Sequence, residues 1–142
     1  MIEITKYNVT EDYSSEIQIT GNNQKGIIIV YPMNTAESEL KLLDTIIEKA
    51  ILVDPKKDVV KVALKSECKI NWFQFMSDQK VAHVLCFGIH PRSLSLNFAF
   101  NFNELIPFQD VEYIFSNYLH EIESDQGLKK QLWSCIKSST LT

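Results

Sequence analysis

The chain alternates between short continuous apolar runs and longer segments with helical spacing. The first run, GIIIVYP at residues 26–32, is apolar on both faces and bounded by Gly and Pro, which is typical of a central strand in a covered, mostly parallel sheet. VVKVAL at residues 59–64 and VAHVLCFG at residues 81–88 predict two further buried strands. DVEYIFS at residues 110–116 is another strand candidate, and LNFAFNFN at residues 96–103 is either a strand or an extended loop.

The segment between the first two strands predicts a helix. Residues 34–52 place apolar side chains at helical spacing, and the stripe consists of Leu40, Leu43, Ile47 and Ala50. Asn34 or Thr35 is the expected N-cap, because Glu37 follows Asn34 at the spacing of a capping box. A strand, a helix and a strand in this order predict a βαβ unit with parallel strands.

Two consecutive short helices are predicted near the end of the sequence. They cover NYLHEIESD and DQGLKKQLWSCIK, with Asn117 and Asp125 as caps. The apolar stripe of the last helix consists of Leu128, Leu132, Cys135 and Ile136. In the middle of the chain, INWFQFMSDQ groups Trp72, Phe75 and Met76 at helical spacing.

The order of these elements predicts one α/β domain over residues 25–142. Its expected architecture is three-layer α/β/α with a mostly parallel sheet of four to five strands. Residues 1–24 are polar and mixed, and they predict an N-terminal arm or an added strand. Ile17 and Ile19 in SEIQIT alternate with polar neighbours as such a strand requires.

The charge balance disfavours a surface that gathers nucleic acid. The formal net charge is −4 and the sequence pI is about 5.3, so the overall field repels a phosphate backbone. The dense basic spots, Lys56 with Lys57 and Lys129 with Lys130, lie among acidic residues without exposed-looking aromatic neighbours. No direct contact with nucleic acid is therefore expected.

The start of the sequence has no signal-peptide pattern. No apolar run approaches the roughly 20 residues of a membrane span, so a cytoplasmic protein without membrane contact is expected. An odd number of cysteines predicts reduced thiols, and Cys86 and Cys135 lie in apolar patterns that indicate core positions.

Motifs for nucleotide, metal and nucleophilic chemistry are missing. Neither GxGxxG nor GxxxxGK[ST] occurs, the histidines and cysteines lack metal-ligand spacing, and there is no GxSxG elbow. His83 lies within a buried-strand pattern and is expected to be structural. No cofactor and no metal are expected, although catalytic residues that converge only in space leave no local trace.

The loop HPRSLS at residues 90–95 is similar to the HPSPLS motif of uracil-DNA glycosylases. In those enzymes the motif's histidine stabilises the leaving base, and a GQDPYH motif after the first core strand supplies an acid that positions water. This chain has VYPMNTAES at the corresponding place, so the water-positioning acid is missing.

The position of this loop also departs from the glycosylase pattern. There the HPSPLS motif follows the last core strand, whereas Phe87 and Gly88 resemble the pair that ends the strand before it. The favoured interpretation is a turn, with Arg92 and Ser93 facing solvent. The alternative is a glycosylase-like enzyme acting on DNA bases through His90.

The last helix carries a second resemblance that extends over more of the chain. SDQGLKKQLWSCIKS is similar to the C-terminal segment of DNA polymerase III psi subunits, which are accessory proteins of the bacterial clamp loader. The matching residues are Asp125, Leu128, Lys129, Leu132, Trp133 and Ile136. The upstream order of strands and helices also agrees, over residues 26–137, and the specific features are the Leu-Trp helix and Phe87-Gly88.

The psi resemblance implies a uracil-DNA glycosylase-like fold without catalytic machinery. It implies a non-catalytic interaction subunit, with clamp-loader or chi-like proteins as partners. Psi subunits reach the clamp loader through an N-terminal peptide, and residues 1–24 here differ from that peptide in being acidic and polar. A third possibility is an interaction domain of the same fold that is unrelated to replication.

Trp133 has two interpretations. Beside the apolar stripe it is expected to close the edge of the core, since Trp is usually largely buried. The alternative is an exposed anchor for a partner.

Overall fold

A six-stranded sheet forms the centre of the protein. The computed structural model describes residues 17–22, 24–65, 71–72, 74, 80–97 and 99–139. The strands are β1 (Ile17–Gly21), β2 (Ile27–Pro32), β3 (Val59–Leu64), β4 (His83–Phe87), β5 (Leu105–Phe108) and β6 (Val111–Ser116). The helices are α1 (Glu37–Ile46), α2 (Leu119–Ser124) and α3 (Gln126–Ser138), with a π-helical turn at Ile47–Ile51 and a 3₁₀ helix at Pro91–Leu94.

The sheet is mixed, and its spatial order is β1-β3-β2-β4-β6-β5. The four inner strands are parallel, and the edge strands β1 and β5 are antiparallel to their neighbours. The βαβ unit predicted from the apolar runs and the added strand at SEIQIT are both present. The prediction of four to five strands was wrong, because β5 had not been recognised.

The missed strand β5 is short and carries Pro107. A proline is tolerated there because an edge strand leaves one row of amides without a ladder partner. The hairpin to β6 turns through Gln109 and Asp110, both with positive φ (51° and 66°). Two-residue turns of this kind usually contain Asn-Gly. Gln109 and Asp110 do not match that pattern, so the hairpin could not be recognised from the sequence.

The two faces of the sheet are covered differently. Alternation along β2 directs Ile28 and Val30 to one face and Ile27 and Ile29 to the other. Helices α1, α2 and α3 pack on the Ile27 face. Among the described residues, the opposite face is covered by the 3₁₀ helix, by irregular segments and by the fully buried Trp72, whose backbone is α-helical. The described residues therefore place a helical position on this face as well, as the three-layer prediction requires.

The start of α1 differs from the predicted capping box. Ala36 is the N-cap, and its amide donates to Glu39 Oε2 at 3.3 Å. Thr35 lies one residue before the cap, and its hydroxyl donates to the Pro32 carbonyl at 2.6 Å. The expected Asn34–Glu37 box was therefore wrong.

The caps of the last two helices are partly as predicted. Asp125 caps α3, since its Oδ1 accepts from the amides of Gly127 (2.8 Å) and Leu128 (3.3 Å). The cap of α2 is Tyr118 rather than Asn117, and the Tyr118 amide donates to Glu121 Oε1 at 3.1 Å.

The aromatic segment before β5 is a loop. No strand is assigned to its described residues; Phe100 is partly buried and Phe102 is exposed. Phe75, Met76, Phe98 and Cys68 lie outside the described residues. Among the helices that are described, none has the length and apolar character to cross a membrane.

Candidate functional site

Helix α3 has a core-facing stripe that the sequence predicted. Leu132, Cys135 and Ile136 are buried, and Leu128 is partly buried against them. Phe87 on β4 belongs to the same apolar cluster. Four positions singled out from the psi resemblance, Phe87, Gly88, Leu128 and Leu132, thus contribute to the strand end and the core beneath the helix.

The opposite side of α3 forms a shallow groove of about 470 Å³. Its described lining residues are Gln126, Lys129, Lys130, Trp133, Ser134 and Lys137. Trp133 is partly buried, packs against the core cluster and also lines this groove. The indole therefore fits both sequence interpretations, because one part closes the core and another part is accessible.

The groove is electropositive. Lys129, Lys130 and Lys137 are the charged residues of the segment 126–139, which contains no Asp or Glu. The sequence had indicated that Lys129 and Lys130 lack an exposed aromatic neighbour, and this part of the prediction was wrong, because Trp133 lines the groove beside them. Lys129 and Lys130 precede Trp133 by four and three residues, and this helical spacing places both lysines beside the indole. The sequence therefore contained the signal that could have predicted their proximity.

Acidic residues border this basic face on one side. Glu121 and Glu123 on α2 are exposed, and Asp125 caps α3 just before its first turn. The three lysines that line the groove all lie on α3, in a protein of net charge −4.

A second candidate region lies at the carboxyl end of β4. Gly88 has φ +69°, and its amide donates to the Ser116 carbonyl at 3.0 Å. The Tyr118 ring lies directly over Gly88, so that a Cβ built on the glycine would be 2.4 Å from Tyr118 Cδ1. Tyr118 stacks on His120, with 5.3 Å between ring centroids, and His120 Nδ1 lies 3.6 Å from Glu39 Oε1.

His90 follows two residues later and is exposed. Its Nδ1 accepts from the Arg92 amide at 3.1 Å, and its ring meets Phe100 edge-on at 5.0 Å. Partial desolvation and then the positive charge of Arg92 lower the pKa of His90. The ring is therefore neutral at pH 7, with its proton on Nε2.

The rest of this loop is close to the predicted turn. Pro91 begins the 3₁₀ helix, Arg92 is exposed and Ser93 is partly exposed. The loop follows the third of the four parallel strands, as the comparison with glycosylases had suggested. Because β3 and β4 lie on opposite sides of β2, the loop stands where the strand order reverses, a usual position for ligand sites in open α/β sheets.

The two regions are connected through Asn103. Its side-chain oxygen accepts from Ser116 Oγ at 2.6 Å, and its Nδ2 lies 3.4 Å from Gln131 Oε1 on α3. The lysine groove and the His90 loop nevertheless occupy different elements. The predicted site residues do not converge on one catalytic centre in the described part of the chain.

Two buried thiols and one buried histidine lie in surroundings that fit a structural role. Burial raises the pKa of the Cys86 thiol well above its usual range, and burial with the nearby charges of Glu104 and Glu112 raises the pKa of Cys135 to about 11. Both thiols are therefore protonated at neutral pH, as core positions require. His83, also buried, has Nε2 3.0 Å from Glu112 Oε1.

The described residues contain no cluster of side chains that could bind a metal ion. Within them, no three His, Cys, Asp or Glu side chains come together as a metal ion would require. Comparison with protein-family models gives no match, and no curated protein matches the chain.

Proposed function

We propose that this protein is a non-catalytic interaction subunit resembling the psi subunits of the clamp loader, and that it docks a partner on the outer face of α3. The observation that carries the proposal is the accessible part of Trp133 within a groove flanked by three lysines. Aromatic side chains at the centre of a patch, with charged residues around them, are typical of protein interfaces.

The arrangement of α3 supports a docking role because one face of the helix packs on the sheet and the opposite face is open to a partner. Leu132, Cys135 and Ile136 hold the helix on the sheet, so a partner can bind the opposite face without opening the core. Asp125 fixes the first turn by accepting two amides. A helix anchored in this way presents Trp133 and the lysines in one preformed arrangement, which reduces the ordering cost of association.

Affinity purification tests this function. We expect tagged wild-type protein to retain clamp-loader or chi-like subunits, and Trp133→Ala to retain less than about a tenth as much. Leu52→Ala is the matched control, because Leu52 is an apolar residue 69% exposed in the turn after the π-helical segment. Equal capture by Trp133→Ala and wild type would show that another surface binds. Capture without any replication subunit would favour an interaction domain of unrelated function.

A second candidate function is a glycosylase-like activity on DNA bases. It is favoured by the exposed, neutral His90 at the point where the strand order reverses. If it holds, wild type releases uracil from uracil-containing DNA, and His90→Ala reduces the rate by about 100-fold. Arg92→Ala is the control for the loop surface. We expect no base release from either variant or from wild type if the protein is an interaction subunit.

A further inference from the structure

We infer that the α3 groove takes a short acidic peptide segment with one large apolar side chain; this rests on the proposed role of α3 as a docking surface. Lys129 and Lys130 lie one turn before Trp133, and Lys137 lies one turn after it. Positive charge therefore stands on both sides of the accessible indole. The complementary ligand has carboxylates on both sides of an apolar residue.

The spacing of the lysines sets the length of this segment. At 1.5 Å per residue, Lys129 and Lys137 are separated by about 12 Å along the helix axis. An extended peptide covers that distance in about four residues. One apolar side chain contacts Trp133, and acidic residues before and after it reach the two groups of lysines.

The groove fits a peptide better than a small molecule. All six of its described lining residues lie on α3, so these residues form a single wall. Sites for small molecules usually enclose most of the ligand surface. A peptide from a folded partner needs only one wall here, because the partner covers the other side.

The local charges also favour a peptide over a nucleic acid strand. Asp125 caps the start of α3, and the exposed Glu121 and Glu123 precede it in the chain. A continuing phosphate backbone would meet these carboxylates and be repelled. An acidic segment of about four residues ends before it reaches them.

Trp133 itself provides the measurement. Trp72 and Trp133 are the two tryptophans of the chain, and Trp72 is fully buried, so a ligand in the groove changes chiefly the emission of Trp133. The probe is the capped synthetic peptide Asp-Asp-Phe-Asp-Asp, titrated at low salt into the full chain. We expect a saturable change in emission that weakens as salt is added.

The variant Lys129→Glu/Lys130→Glu is expected to weaken this binding about tenfold or more, because two attractive charges become repulsive. Lys130 is exposed and Lys129 is partly exposed, on the side of α3 away from its buried stripe, so the variant should fold, as circular dichroism can verify. The matched control is Lys56→Glu/Lys57→Glu, which makes the same charge change at exposed positions of the turn before β3, outside the residues that line the groove. The control should bind the peptide as wild type does.

Three results would overturn the inference. One is the absence of any emission change with the acidic peptide, and another is equal binding of a Lys-Lys-Phe-Lys-Lys peptide. The third is tighter binding of a single-stranded oligodeoxynucleotide that is lost in Lys129→Glu/Lys130→Glu, since it would assign the groove to nucleic acid. If the peptide binds but no replication subunit is captured, the proposed function is rejected and the inference stands. If capture depends on Trp133 but the peptide does not bind, the inference is rejected and the proposed function stands.

Discussion

An alanine at Leu132 is expected to lower the free energy of unfolding by about 3 kcal/mol, whereas an alanine at Trp133 lowers it by about 1 kcal/mol. Leu132 is 0% exposed and belongs to the cluster that joins α3 to the sheet. Removing its side chain loses apolar contacts and leaves a cavity. Trp133 only borders this cluster, so truncation there removes fewer buried contacts.

Denaturant unfolding of the two variants and wild type measures this difference. Partner capture and peptide titration under native conditions then supply a second, independent comparison. Leu132→Ala that remains folded should bind as wild type does, whereas Trp133→Ala should be folded but defective in binding. Equal stability losses at the two positions would contradict the division of α3 into a structural face and a docking face.

Continuous apolar runs made the inner strands predictable. Residues such as Ile28, Ile29 and Val84 are buried on whichever face of the sheet they lie. Burial on both faces produces continuous apolar runs, and such runs are enough to predict a covered parallel sheet. The helix boundaries were less predictable, because hydrogen bonds at the turns decide them. Thr35 bonds to the Pro32 carbonyl in the turn before the helix, and the cap is Ala36, which no residue preference would indicate.

The candidate site was only partly visible in the sequence. Lys129 and Trp133 were singled out through the psi resemblance, but their neighbours Lys130 and Lys137 were not assigned to the same face. Their common exposure depends on which stripe of α3 the sheet buries, and that is decided by packing with residues distant in sequence. The position of His90 at the reversal of strand order likewise required the sheet topology.

Gly88→Ala is expected to lower the free energy of unfolding by about 2 to 5 kcal/mol. Gly88 has φ +69°, and an L-residue in this left-handed conformation costs about 1–2 kcal/mol. The added Cβ would also stand 2.4 Å from Tyr118 Cδ1, and relieving such overpacking costs about 1–3 kcal/mol. Because Tyr118 is 47% exposed, its ring can move outward, but it then loses its stacking on His120.

A double-mutant cycle separates the two costs. In a Tyr118→Ala background the steric conflict is gone, so Gly88→Ala should cost only the backbone part, about 1–2 kcal/mol. Chemical denaturation of the four proteins gives the coupling between the positions. If Gly88→Ala is equally costly with and without the tyrosine ring, the close contact does not contribute, and backbone conformation alone requires glycine at the end of β4. If it costs nothing in either background, the left-handed turn that leads into the His90 loop is not required for folding.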